Sequence, residues 1–156
     1  MEIKIRLQKD NEKAPMDLLL LADPSKDIIE EYLKRGDCYV ATDDCNNIIG
    51  VIVLLPTRPE TLEIINIAVR KDYQGKGIGK QLVNFAIQKA KEQKIKTLEI
   101  GTGNSSINQI AFYQKCGFRI TGIDRDFFLR HYNEAIYENG IQCRDMIRFS
   151  MDLSII

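Results

Sequence analysis

The feature that most constrains this chain is the run Gln74-Gly75-Lys76-Gly77-Ile78-Gly79-Lys80, set between a strand-like and a helix-like stretch. Before it, residues 61–70 (Thr-Leu-Glu-Ile-Ile-Asn-Ile-Ala-Val-Arg) are rich in β-branched side chains and read as a strand. After it, residues 78–93 put Leu82, Val83, Phe85, Ala86, Ile87 and Ala90 on one broad apolar face, with lysines and glutamines opposite, which is the pattern of a helix packed on one side. Glycines at such a junction let the backbone turn sharply and come close to a ligand. The free N–H groups of the helix start then converge on one spot, where the helix dipole also favours negative charge. The run therefore predicts a seat for a phosphate or pyrophosphate, with Lys76 and Lys80 adding charge. A glycine turn also serves as a plain connector, and the run alone leaves both readings open.

Spacing excludes two common phosphate binders. A P-loop closes on Gly-Lys-Ser/Thr, which is absent. A dinucleotide fingerprint needs a third glycine where this chain has Leu82.

The other elements follow from periodicity. Residues 2–7 alternate as a half-buried strand. Residues 14–36 read as helix, with the stripe Ile28, Ile29, Tyr32 and Leu33, Ser25 as an N-cap and Gly36 as a stop. Strands over 37–42 and 47–55 form a hairpin through the Asp/Asn-rich turn 43–47, and Pro56 and Pro59 bracket a loop. A strand over 96–101 precedes a helix over 105–116, with Asn104, Ser105 and Ser106 as cap candidates. Strands over 118–123 and 142–153 complete the set. Residues 124–140 have no clear period and hold Phe127, Phe128, His131, Tyr132 and Tyr137. Antiparallel strands followed by β-α-β-α units predict an α+β (mixed α/β) domain spanning 1–156, with helices on both faces of the sheet.

Composition narrows the partners. Twenty-two basic and 22 acidic side chains balance, which argues against nucleic acid or an anionic membrane as partner. Cys38, Cys45, Cys116 and Cys143 match neither a zinc pattern nor a redox pair, so no metal is expected. The chain opens Met-Glu-Ile-Lys with no apolar signal, and no apolar run approaches the roughly 18–20 residues of a membrane span. Reduced thiols in a cytoplasmic setting are the expectation.

The stretch Asn66-Ile67-Ala68-Val69, followed by Asp72-Tyr73-Gln74-Gly75-Lys76-Gly77-Ile78-Gly79, resembles the cofactor motif of the GNAT N-acetyltransferase superfamily, Q/R-x-x-G-x-G/A after a strand. Further on, Phe112-Tyr113-Gln114-Lys115-Cys116-Gly117-Phe118 resembles the second signature of that family, a helix ending in Tyr-x-x-x-Gly-Phe. The resemblance is strong over about 60–120. It implies a GNAT-like fold, with a central mixed, mostly antiparallel sheet of about seven strands and splayed parallel strands in its middle. It implies transfer of an acetyl group from acetyl-CoA to a primary amine of a small molecule or protein, by direct attack in a ternary complex. A non-catalytic acyl-CoA sensor of the same fold is the alternative. The chain would act as a monomer or homodimer.

Residue roles follow from the same resemblance. Backbone groups of Ile67 and Val69 would pair with pantetheine and the thioester carbonyl. Backbone N–H groups of Gln74, Gly75, Lys76, Gly77, Ile78, Gly79 and Lys80 would hold the pyrophosphate. Tyr113 matches the family's general acid for the departing thiolate, against a reading as a core tyrosine. A free tyrosine (pKa about 10) gives its proton to a thiolate (about 8.5) only uphill, by about 2 kcal/mol, so hydrogen-bond donation fits better. Glu63 matches a catalytic glutamate of histone-type members, against a reading as a solvated strand residue. A carboxylate near 4.3 is a weak base for an ammonium near 10.4 unless burial or a water relay helps. Where many members carry a pantetheine-binding asparagine, seven residues before the tyrosine, this chain has Ser106. His131, Tyr132 and Asn133 fall where members often build the acceptor pocket, and Asp124, Glu134 and Glu138 either attract a cation or form a solvated face.

Overall fold

The computed structural model describes residues 1–154. Its first half comprises β1 (Lys4–Leu7), α1 (Met16–Ala22), α2 (Lys26–Leu33), β2 (Asp37–Thr42), β3 (Ile48–Arg58) and β4 (Thr61–Val69). The single helix expected over 14–36 is two. Pro24 excludes Asp23 from helical geometry, and Asp23 is extended, at φ −141° and ψ 114°. Ser25 then caps α2 as its sequence predicts, its hydroxyl accepting from the Ile28 N–H at 3.3 Å. The loop expected at Pro56 is strand: β3 runs on to Arg58, and Pro56 stands opposite Leu62 beside an irregular register that tolerates its missing N–H.

A short 3-10 turn (Lys71–Tyr73) leads to α3 (Ile78–Glu92), β5 (Thr97–Gly103), α4 (Ile107–Lys115), β6 (Arg119–Asp124), α5 (Phe127–His131), β7 (Ile136–Glu138), β8 (Ile141–Cys143) and β9 (Met146–Asp152). The strand expected over 142–153 divides. Asn104 Oδ1 accepts from the N–H groups of Arg144 and Asp145 at 2.8 and 3.0 Å, and β8 pairs with β7 in a separate hairpin. Asn104 is thus an anchor for this connection rather than a cap of α4.

Among the described residues, seven strands form one sheet in the order β1-β2-β3-β4-β5-β9-β6, and only β4 and β5 pair in parallel. One face is covered by α1 and α2, where Leu18, Leu19, Ile29 and Tyr32 pack on Val40, Val51, Val53 and Leu55. The other is covered by α3 and α4, where Leu82, Val83, Ala86 and Tyr113 pack among Ile52, Ile64, Ile100 and Phe149. Burial on both faces explains why β3 reads Val51-Ile52-Val53-Leu54-Leu55 without alternation. One of the two edge strands, β6, leaves Ile120 and Ile123 exposed.

The β4–β5 ladder runs from Thr61 opposite Thr97 to Ile64 opposite Ile100 and stops there, although β4 continues to Val69 and β5 to Gly103. Just past that point β4 is bulged. Leu54 faces Ile64 and Val53 faces Asn66, so Ile65 is the extra residue. Ile65 packs with the α1/α2 cluster, and Asn66 also turns to that side, where it bonds Leu19 and Tyr32.

Leu82 is fully buried, whereas Phe85, expected to face the sheet, lies at the margin against Tyr39, with ring centroids 4.8 Å apart. Leu82→Ala should cost about 2–5 kcal/mol in urea melts. Phe85→Ala should fall short of the roughly 3–5 kcal/mol of a fully buried phenylalanine.

Candidate functional site

Past Ile64 and Ile100 the two strands no longer share a ladder, and a slot opens between their facing edges. Ile67 stands on the β4 side of this slot. The Val69 carbonyl already has a partner, the Gln74 side-chain amide, which donates to it at 2.9 Å.

The glycine run lies at the end of β4. Gly75 and Gly77 have φ of +76° and +81°, a region an L side chain rarely enters, and a Cβ at either would meet nothing within 4 Å. The first α-helical bond of α3 runs from the Gln81 N–H to the Gly77 carbonyl at 3.1 Å, so the N–H groups of Ile78, Gly79 and Lys80 have no α-helical acceptor. No acidic residue stands in the first turn. The buried Ile78 side chain pins the turn to the core while Gln74, Gly75, Lys76, Gly77 and Lys80 are exposed. Lys76 Nζ lies 5.3 Å from the Tyr73 ring centre. Free amides, two nearby lysines and an open approach give the geometry of an anion cradle.

Tyr113, on α4, is 5% exposed, its ring wedged among Phe112, Phe118 and Phe149 at centroid distances of 5.7, 6.3 and 5.6 Å. Burial holds its pKa well above the usual phenol value, so it keeps its proton. Glu63 lies on the opposite face of the sheet from Tyr113, because its neighbours Leu62 and Ile64 are the ones that join the α3/α4 core. It is half-buried and stands beside Glu99 in the β4–β5 ladder. Burial raises its pKa, the charge of Arg148 opposes the rise, Glu99 adds to it and Arg58 opposes it. Glu99 is itself paired with Arg58. The two catalytic candidates therefore lie on opposite faces of the sheet.

Sequence named Ser106 and Tyr132 but not their partners, and it did not single out Asp23 or Arg148. Ser106, where an asparagine is common, gives its hydroxyl to Glu138 Oε1 at 2.8 Å, and so ties the β7–β8 hairpin to the start of α4. Arg148, on β9, has its guanidinium 5.7 Å from the Phe127 ring centre. Tyr132, from the connection after α5, reaches Asp23 at 2.9 Å. Two signals were present: an asparagine inside the apolar strand 64–69, and a proline inside an expected helix. Among the described residues no group of three or more His, Cys, Asp or Glu is arranged to hold a metal ion.

In the chain without ligand, a Cβ at Gly79 would meet only the Phe112 ring at an ordinary 3.5 Å, so Gly79→Ala should fold. Gly79→Ala and the backbone-strained Gly77→Ala should each weaken acetyl-CoA binding at least tenfold, about 1.4 kcal/mol. Unchanged affinity of both by calorimetry would remove the cradle from this loop.

Comparison with known proteins agrees with the geometry. The model of the "Acetyltransferase (GNAT) family" matches residues 7–118. The uncharacterised N-acetyltransferase YvbK of Bacillus subtilis (strain 168) is 60% identical over 152 residues, 97% of each chain. The crystal structure of a GNAT family acetyltransferase from Elizabethkingia anophelis, with acetyl-CoA bound, superposes with a TM-score of 0.94 at 51% identity, over 96% of this chain and 97% of that one. A Bacillus subtilis acetyltransferase in complex with CoA superposes with a TM-score of 0.90 at 60% identity, over 97% and 99%. With the interrupted parallel ladder, the glycine cradle and these relatives together, the chain belongs to the GNAT acetyltransferase family.

Proposed function

We propose that this chain transfers an acetyl group from acetyl-CoA to a primary amine by direct attack in a ternary complex. The observation that carries this is the slot past Ile64 and Ile100, with an anion cradle at its end and ionisable candidates on both faces of the sheet. In this reading the pyrophosphate rests on the N–H groups of residues 74–80, and the pantetheine arm lies along β4 at Ile67 and Val69.

The amine nitrogen attacks the thioester carbonyl carbon, a C–N bond forms, and the C–S bond breaks with its electron pair leaving on sulfur. An ammonium acceptor loses one proton before attack and a second as the amide forms. Glu63 takes the first, directly or through water, and its raised pKa makes it a better base than an exposed carboxylate. The second proton offsets the charge on the thiolate. Tyr113 offers that sulfur a hydrogen bond, and its raised pKa makes outright proton transfer steeper than the uphill 2 kcal/mol or so of free groups. A cytoplasmic setting fits the four unpaired cysteines. Among the described residues no helix is long and apolar enough to cross a membrane.

CoA release against a panel of amines and lysine peptides tests the activity. If the parent acetylates none of them, the acyl-CoA sensor becomes the better reading. Tyr113→Phe keeps the ring and should keep acetyl-CoA affinity, while single-turnover transfer drops about 10²–10⁴-fold. Transfer as fast as the parent's makes Tyr113 a packing residue.

Glu63→Gln should abolish the rise of kcat/KM with pH that the raised carboxylate pKa imposes on the parent. Stability gives an independent check. Folding raises this pKa, so the advantage of the neutral acid is full below about pH 4.3 and lost as pH climbs through the folded value. The variant, neutral throughout, should melt above the parent at pH 7 and together with it near pH 4.

A further inference from the structure

A buried polar cluster lies on the α1/α2 side just past the end of the β4–β5 pairing, and no step of the proposed transfer uses it. Asp23, in the turn between α1 and α2, is 8% exposed. Its Oδ1 accepts from the Ser25 N–H at 3.1 Å and the Tyr132 hydroxyl at 2.9 Å, and its Oδ2 accepts from the Tyr32 hydroxyl at 3.2 Å. The Tyr32 oxygen accepts from Asn66 Nδ2 at 2.9 Å, and Nδ2 also donates to the Leu19 carbonyl at 3.0 Å. Asn66 is 3% exposed, and its Oδ1 is the single buried side-chain polar atom without a hydrogen-bond partner among the described residues.

Two things are missing from this cluster. A buried carboxylate is costly unless an opposite charge meets it. Asp23 forms no ion pair among the described residues, and its three donors are neutral. Burial raises the pKa of Tyr32 and of Tyr132, and the charge of Asp23 raises both further. Both hydroxyls therefore stay protonated, offering hydrogen bonds but no positive charge. The Asn66 amide oxygen, for its part, lacks any donor, which is costly in a buried position. An ammonium group supplies both: a positive charge and three N–H donors.

The cluster also borders the end of the β4–β5 pairing. Asn66 lies two residues beyond the last β4–β5 pair, at the edge of the slot. Tyr132 reaches Asp23 from the β6–β9 connection, so this contact ties that connection to the α1–α2 turn. Glu63, on the same face of β4, is three residues from Asn66, about 10 Å at the rise of a strand. The nitrogen that attacks must be neutral, whereas a site built on a carboxylate favours one that stays charged.

We infer that Asp23, with the Asn66 amide oxygen, seats a second, protonated amino group of the acceptor, and that the Tyr132 hydroxyl holds this seat until that group displaces it. The inference rests on the proposed amine acetylation and narrows its acceptors to molecules with two amino groups.

The test compares propane-1,3-diamine, cadaverine and octane-1,8-diamine with the monoamines of equal length, each with acetyl-CoA. The parent should favour at least one diamine over its monoamine at least tenfold in kcat/KM. Asp23→Asn should lower the diamine value at least tenfold through KM, with the monoamine value within threefold and acetyl-CoA affinity unchanged. Tyr132→Phe, which loses one hydroxyl and keeps the carboxylate, should retain the preference with an equal or lower diamine KM, and it carries the test if Asp23→Asn does not fold. Equal use of diamine and monoamine by the parent, or a preference that survives Asp23→Asn or is lost in Tyr132→Phe, overturns the seat. So does turnover confined to other amines. A parent that acetylates no amine at all overturns the proposed function as well.

Discussion

The ladder between β4 and β5 is interrupted while both strands continue, and the site follows from that interruption. Unpaired main-chain groups inside a sheet are costly, so the gap must be held open. Both strands are secured on their outer flanks. β4 pairs with β3 from Thr61 to Val69, and β5 pairs with β9 over its whole length. The Ile65 bulge adds local twist that turns β4 away from β5 at the point where pairing ceases. Gln74 then takes up the Val69 carbonyl, so the glycine turn and the strand it follows are tied by one side chain.

Burial acts on both catalytic candidates in the same direction and with opposite chemical effect. It disfavours the ionised form of each, because charge is poorly solvated away from water. For Tyr113 this keeps the proton on oxygen, so the group remains a neutral hydrogen-bond donor. For Glu63 it makes a carboxylate more willing to accept a proton. The two lie on opposite faces of the sheet, so neither residue's burial depends on the other.

The sequence carried those parts of the structure that local patterns determine. The glycine run, the one-sided helix after it, the hairpin through residues 43–47 and the Ser25 cap all stand where their residues imply. What it did not carry depends on contacts between distant residues. Asn104 looks like a cap until Arg144 and Asp145 claim its oxygen, and the strand expected over 142–153 breaks for the same reason. Phe85 fits the helical stripe, yet the stripe is wider than the surface that α3 covers. The Tyr132–Asp23 contact spans 109 positions and leaves no periodic trace. Strict alternation would put Asn66 on the face of Leu62 and Ile64, but the inserted residue at 65 turns it to the other side.

The strand order has a consequence for the birth of the molecule. β9 lies between β5 and β6, both made before it, so neither can complete its pairing until β9 has left the ribosome. The antiparallel pairs of β1–β4 have no such wait, since each joins strands within that segment, and only the far edge of β4 awaits β5. Synthesis at roughly 5–20 residues per second therefore leaves β5 and β6 with open edges for several seconds after β1–β4 can associate. During that interval the exposed Ile120 and Ile123 of β6 and the unfilled flank of β5 are the surfaces on which a nascent chain is most open to mispairing and to chaperones.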